Sequence, residues 1–184
     1  GELGVIHLPR ADLEGSTLTK TAFRLVADAP LAAYQFNPLL NEGVFSNDAS
    51  LLFPSSALGQ DYMLLSWPQT ATESAASTAF VTIVALHDNT KVSLRTSADV
   101  QGQGGSLGQV GAAAGSVLEQ ELDALDVWQV STVNGSASPT TPQWVAARDL
   151  SGSLIQSDGP VAVFTGVECA RVPLDTPACD HLEQ

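Results

Sequence analysis

The stretch AFVTIVALHDNTKVSLRT, residues 79–96, decides how this chain folds. Two apolar, β-branched runs, AFVTIVAL (79–86) and TKVSLRT (90–96), flank His87-Asp88-Asn89, where Asp and Asn set turn dihedrals. In the second run Val92 and Leu94 alternate with Lys91, Ser93 and Arg95, the period-2 pattern of a half-buried strand.

The same texture extends outward in both directions. Candidate strands are AFRLVA (22–27), LAAYQFN (31–37), DYMLLSW (61–67), SVLEQELD (116–123), VWQVSTV (127–133), SLIQS (153–157) and PVAVFTGV (160–167). The tetrapeptides ADAP (27–30) and SDGP (157–160) punctuate them with turn residues. The segment AAAGSVLEQELDAL (112–125) has a helix-like composition, but Gly115 interrupts it and Asp123 and Asp126 bracket a turn, so 116–133 reads as strand–turn–strand. No amphipathic helices separate the strands, and the pattern predicts an all-β, antiparallel β-sandwich with long Gly/Ser-rich loops. Two such loops are QGQGGSLGQVGAAAG (101–115), expected to be mobile, and GSASPTTP (135–142).

Composition narrows the function classes. Hydrophobic residues make up 44% of the 184, enough for a core, while charged residues reach only 15%. Seven basic residues against twenty acidic ones give a net charge of −13, which repels phosphate backbones and anionic lipid alike. Nucleic acid is therefore not an expected partner. No apolar run approaches the roughly 18 residues of a membrane helix, so insertion into a membrane is not expected. A surface of hydroxyls and small residues suits a secreted or cell-surface module. The chain opens with GELGVIHLP and its single methionine is Met63, so it reads as an excerpt from a longer polypeptide.

A weak internal echo runs through the chain. VADAPLAAYQF (26–36) aligns with QSDGPVAVFTG (156–166), placing Asp28 over Asp158, Pro30 over Pro160 and Ala32 over Ala162. The shared content is a turn, a proline at a strand's first position and an apolar strand. On this reading two related β units are present: residues 1–70 end a preceding unit packed on the rest, and residues 71–184 form the main sandwich.

Several stretches together carry a family resemblance. DLSGSLI (149–155), SDGPVAVFTG (157–166), Cys169 and CDHLEQ (179–184) resemble the N-terminal domain of the IgG Fc-binding protein family. FVTIVALHDNTKVSL (80–94) looks like that family's strand–D-N-T–strand hairpin, and ASLLFPSSALGQDYMLLSW (49–67) like its proline-containing segment. The resemblance implies an extracellular, all-β binding or structural module without catalytic activity. No short motif in the chain marks an antibody Fc contact.

The remaining constellations are weighed against that frame. Cys169 and Cys179 are the only cysteines and enclose an 11-residue loop counted end to end. Outside the cell a disulfide is the expected state, worth about 2.5–3 kcal/mol by loop entropy; in a reduced compartment the alternative is two buried thiols. Asp180 and His181 are neighbours on a strand and point to opposite faces, which favours a structural role over an acid–base pair. His7, His87 and His181 are too dispersed to predict a zinc site. Asp88, Asp149, Asp158 and Asp180 are the carboxylates from which a weak calcium site between loops could be built, and otherwise they are solvated turn residues. No other cofactor is indicated.

Ser106 stands in a G-x-S-x-G pattern, but without the strand-to-helix elbow that gives the pattern meaning. Asn134-Gly135-Ser136 is a formal glycosylation sequon. Trp67 and Trp128 are expected in the core, and Trp144, after a Thr/Pro loop, is the aromatic candidate for a protein or glycan contact. The expected function is a non-enzymatic extracellular binding or adhesion module within a larger secreted or cell-surface protein. The alternative is a structural building block of a fibre or matrix that self-associates.

Overall fold

The chain was analysed as a computed structural model that describes residues 3–37, 47–68, 78–104, 110–133, 149–173 and 180–183. Thirteen strands run through the described residues: β1 (Thr17–Thr19), β2 (Ala33–Asn37), β3 (Asp48–Leu52), β4 (Asp61–Met63), β5 (Ala79–Ala85), β6 (Thr90–Arg95), β7 (Val100–Gln101), β8 (Val110–Ala112), β9 (Val117–Leu122), β10 (Val127–Ser131), β11 (Leu154–Ser157), β12 (Val161–Ala170) and β13 (Asp180–Glu183). The only helical turn among those residues is a short 3-10 segment at Ser55–Ala57. No helix there is long and apolar enough to cross a membrane.

Alternation in the strands decides which side chains become core. In β5, Ala79, Val81, Ile83 and Ala85 are fully buried; in β6, Val92 and Leu94 are. They meet from opposite sides, because β5 lies in a five-stranded sheet of order β1-β10-β5-β12-β13 and β6 in a four-stranded sheet of order β4-β11-β6-β9. Every pairing in both sheets is antiparallel. One cluster joins Val81, Ile83, Trp128, Val130 and Val161 of the first sheet to Val92, Leu94, Leu122 and Ile155 of the second. This is the packing of a β-sandwich, in which each fully buried Val, Leu or Ile contributes about 1.5–3 kcal/mol.

The expected hairpin at 79–96 is not one. Asn89 does turn the chain, with a left-handed φ of 57°, but β5 and β6 do not pair. The turn carries the chain from one sheet to the other. The connections β9 to β10 and β11 to β12 cross between the sheets in the same way. Period-2 alternation reports which face of a strand is buried and not which strand lies beside it, so a hairpin and a sheet-crossing arch look alike in sequence.

Other expectations are corrected in detail. AFRLVA (22–27) is not a strand: no ladder partner lies beside it, and Phe23, Leu25 and Val26 stay exposed. DYMLLSW is a strand only over Asp61–Met63. Beyond it Leu64 N–H donates to Ser153 O (2.9 Å) and Leu64 O accepts from Gly152 N–H (2.9 Å), so the chain follows the turn before β11 and leaves the ladder. The glycine tract 101–115 is not all loop, because β7 and β8 pair through a bulge. Glycine permits it: a Cβ on Gly111 would lie 2.1 Å from Gly102 N. The strand–turn–strand reading of 116–133 agrees with β9, the turn at 123–126 and β10.

Strands from the first 70 residues enter both sheets. β1 extends the five-stranded sheet beside β10, β4 ends the four-stranded sheet beside β11, and Leu64 is buried in the main core. The two halves of the internal echo differ in surroundings: β2 pairs only with β3 in a two-stranded ladder, whereas β12 lies between β5 and β13 inside the five-stranded sheet.

Candidate binding surface

The three sheet-crossing arches lie at one end of the sandwich, and carboxylates hold them. Asp88 Oδ1 accepts from Ala124 N–H (3.0 Å), Asp123 Oδ1 from Asn89 N–H (3.2 Å), and Asp158 Oδ1 from Lys91 N–H (2.8 Å). The first two bonds tie the 86–89 and 123–126 arches together, and the third ties the 158–160 arch to the start of β6. Asp126 Oδ2 caps its own turn at Asp123 N–H (2.9 Å). Charge-assisted bonds of this kind are stronger than neutral ones, and they explain why so many acids gather at one end.

The opposite end relies mainly on hydroxyls, with Asp99 and Asp149 as further acceptors. Ser97 N–H donates to Ser153 Oγ (2.9 Å), and the Ser97 and Ser153 hydroxyls lie 2.9 Å apart. Ser66 N–H donates to Ser151 Oγ (2.9 Å), while Asp149 Oδ1 accepts from Ser151 N–H (2.9 Å). These bonds shape a shallow concavity lined by Arg95, Thr96, Ser97, Ala114, Gly115, Gly152 and Leu154. Gly115 and Gly152 both have left-handed φ, 85° and 81°, which keeps the two turns tight at the rim.

The strand register places one row across the outer face of the four-stranded sheet at this end. Met63 is opposite Leu154, Leu154 opposite Arg95, and Arg95 opposite Val117. Met63 is 74% exposed and Val117 55%, although both sit in regular strands. The next row towards the arches is Asp61, Gln156, Ser93 and Glu119, polar and acidic. Arg95 thus stands among apolar neighbours, and among the described residues its guanidinium pairs with no carboxylate. The arrangement offers a charged fork bordered by exposed apolar side chains. Arg and Met are enriched where proteins contact one another.

Among the described residues, those singled out from sequence do not gather into one site. Asp88 and Asp158 are arch clips and Asp149 caps a turn, each accepting a backbone N–H at Oδ1. Asp180 lies on β13 at the far edge of the five-stranded sheet. Among the described residues no group of three or more His, Cys, Asp or Glu is gathered closely enough to hold a metal. Cys169 is half-buried on β12, and no described cysteine is free. Cys179, Ser106, Asn134 and Trp144 lie outside the described residues, as does the side chain of His181. Trp128 is in the main core; Trp67 packs on a small cluster of Ala79, Val167 and Ala170 and donates from Nε1 to Arg171 O (3.0 Å).

Sequence reading passed over Arg95 and its row. Its signal was the exposed phase of the strand alternation, TKVSLRT, in which the last outward residue is a cation in a chain with few of them.

The family model described as IgGFc binding protein matches residues 48–184, from the first residue of β3 onward, which leaves β1 and β2 before the match. No curated protein and no solved structure matches the chain.

Proposed function

The chain belongs to the IgGFc-binding protein family, and from that membership we infer that it is a non-enzymatic extracellular binding module of a larger secreted or cell-surface protein. Its contact surface is the outer face of the four-stranded sheet. The observation that carries the reading is the row Met63–Leu154–Arg95–Val117, three exposed apolar side chains around one cation in a chain of net charge −13. The partner it fits is an extracellular protein that presents a carboxylate beside apolar side chains.

Two further features belong to this reading. A bridge between Cys169 and Cys179 staples the end of β12 and the approach to β13, near the open end of the sandwich. No role falls to calcium in this reading; Asp88, Asp149 and Asp158 each already use one carboxylate oxygen to accept a backbone N–H.

The test is binding of the purified chain to immobilised antibody Fc, mucin glycans and simple polysaccharides, with calcium and again with chelator. Saturable binding to a protein ligand that Arg95→Glu abolishes, unchanged by chelator, is the expected result. Binding that survives Arg95→Glu moves the site elsewhere, and binding lost in chelator overturns the calcium-independent reading.

A further inference from the structure

A second surface, remote in kind from the Arg95 row, carries an inference of its own. β2 and β3 form a two-stranded ladder, and its register puts Tyr34 opposite Leu51 and Phe36 opposite Ala49, all on one face. Phe53 continues the alternation one step past the strand. Tyr34 is 60% exposed, Phe36 49%, Leu51 48% and Phe53 71%. The opposite face differs: Asp48, Ser50 and Leu52 are half-buried, and β3 lies close to β13. The hairpin therefore rests on the body of the protein by one face and presents aromatic rings on the other. A two-stranded hairpin is marginal alone, and an aromatic face left in water gives it no further support.

We propose that this face is a self-association surface and that its occupant is the same face of a second copy of the chain. Charge points to the copy. The chain carries −13 overall, yet residues 29–36 and 49–60 contain no charged residue, so two copies can meet there without opposing carboxylates. Area points the same way. Aromatic side chains cover about 150–250 Å² apiece, so the exposed portions of three of them with Leu51 present roughly 400–500 Å² per copy. A two-fold pair would then bury roughly 1,000 Å² in total, the lower limit for a specific interface, which corresponds to a weak, reversible dimer. A self-complementary face closes under two-fold symmetry, so the product is a dimer and not an open filament.

The experiment is sedimentation equilibrium of the full chain from about 1 to about 300 µM, at low and at high salt. The expected result is a monomer–dimer equilibrium with Kd on the order of 10–100 µM, tighter at high salt because repulsion between the acidic bodies is screened. Tyr34→Glu and Phe53→Glu should each weaken it at least about tenfold. Both side chains are already exposed, so an unchanged melting curve confirms that the variants fold. Arg95→Glu should leave the dimer intact, which separates this surface from the ligand surface. A monomer at every concentration overturns the proposal. So does a dimer that Tyr34→Glu and Phe53→Glu do not weaken, or one that Arg95→Glu abolishes.

Discussion

The two ends of the sandwich solve one problem with different chemistry. Each must close the gap between two sheets and satisfy the backbone groups of the connecting segments. The arch end does so with carboxylates, Asp88 and Asp123 accepting from the backbone of a neighbouring arch and Asp158 from the start of β6. The open end uses the hydroxyls of Ser97, Ser151 and Ser153. Ionised acceptors bind N–H groups more strongly, but they surround that end with negative charge. Hydroxyls bind less strongly and add no charge. At the open end Asp99 and Asp149 are engaged by Ala114 N–H and by Ser151, and among the described residues Arg95 pairs with no carboxylate. On the proposed reading, rigidity and recognition lie at opposite ends of the same strands.

The sharpest way to break this comparison is a double dissociation. Arg95→Glu should cost about 2–4 kcal/mol of ligand binding, as for a central interfacial arginine, and leave the thermal midpoint nearly unchanged. Asp158→Ala should do the reverse. It removes the acceptor of the solvent-exposed Lys91 N–H and lowers stability by about 0.5–1.5 kcal/mol, with binding intact; denaturant titration and a binding isotherm on each variant check both arms. If Asp158→Ala weakens binding as strongly as Arg95→Glu, the two ends are not separate in function.

Reduction addresses the open end. Breaking the proposed Cys169–Cys179 bridge should lower stability by about 2–3 kcal/mol. Native-state hydrogen exchange should show the loss at β12–β13 and not at the arches. Exchange that rises equally at both ends would contradict the placement of the staple.

A smaller effect is expected at Gly152, whose φ of 81° an alanine adopts at a cost of about 1–2 kcal/mol. Gly152→Ala should destabilise by that amount and distort the rim beside Leu154, which a modest loss of affinity would register.

The smallest effect concerns Glu168. The residue as a whole is exposed, yet its carboxylate is drawn in to accept from Thr78 N–H (2.8 Å). Burial pushes its pKa up from the usual carboxylate value, while the backbone and side-chain hydrogen bonds from Thr78 pull it down. A raised carboxyl pKa means that the folded state holds the proton more tightly than the unfolded one. Stability is therefore greater below the ordinary carboxylate value and declines as pH rises through the raised one. Glu168→Gln should remove that decline, a gain at neutral pH below about 1 kcal/mol given the exposure, and have no benefit in acid. Thermal melts of both proteins across the acid range measure it.

Much of the scaffold was legible in the residues. VWQVSTV, SLIQS and PVAVFTGV announced β10, β11 and β12 by alternation between turn signals, and Asn89 announced its turn. β1, β3 and β13 were not legible, because strands of three to five residues carry too few alternations to rise above loop composition. β7 and β8 hid in a glycine tract, where the absence of side chains that reads as looseness is what lets Gly102 and Gly111 approach. Among candidate site residues, the aspartates were noticed for their charge and proved to be arch clips and a turn cap. Arg95 was unremarkable in sequence, because its neighbours Met63, Leu154 and Val117 lie 32, 59 and 22 positions away.

The sequence alone determined that this is an all-β, antiparallel protein of strong negative charge, and it carried the family resemblance. Those properties are local or additive: alternation, turn chemistry and a sum of charges. Only the tertiary structure decided that residues 79–96 arch between sheets, that the acids hold the arches, and that one arginine and three apolar side chains form a row. Those facts depend on which strand lies beside which, and that choice is made by long-range packing of the two inner faces, which no short window of sequence contains.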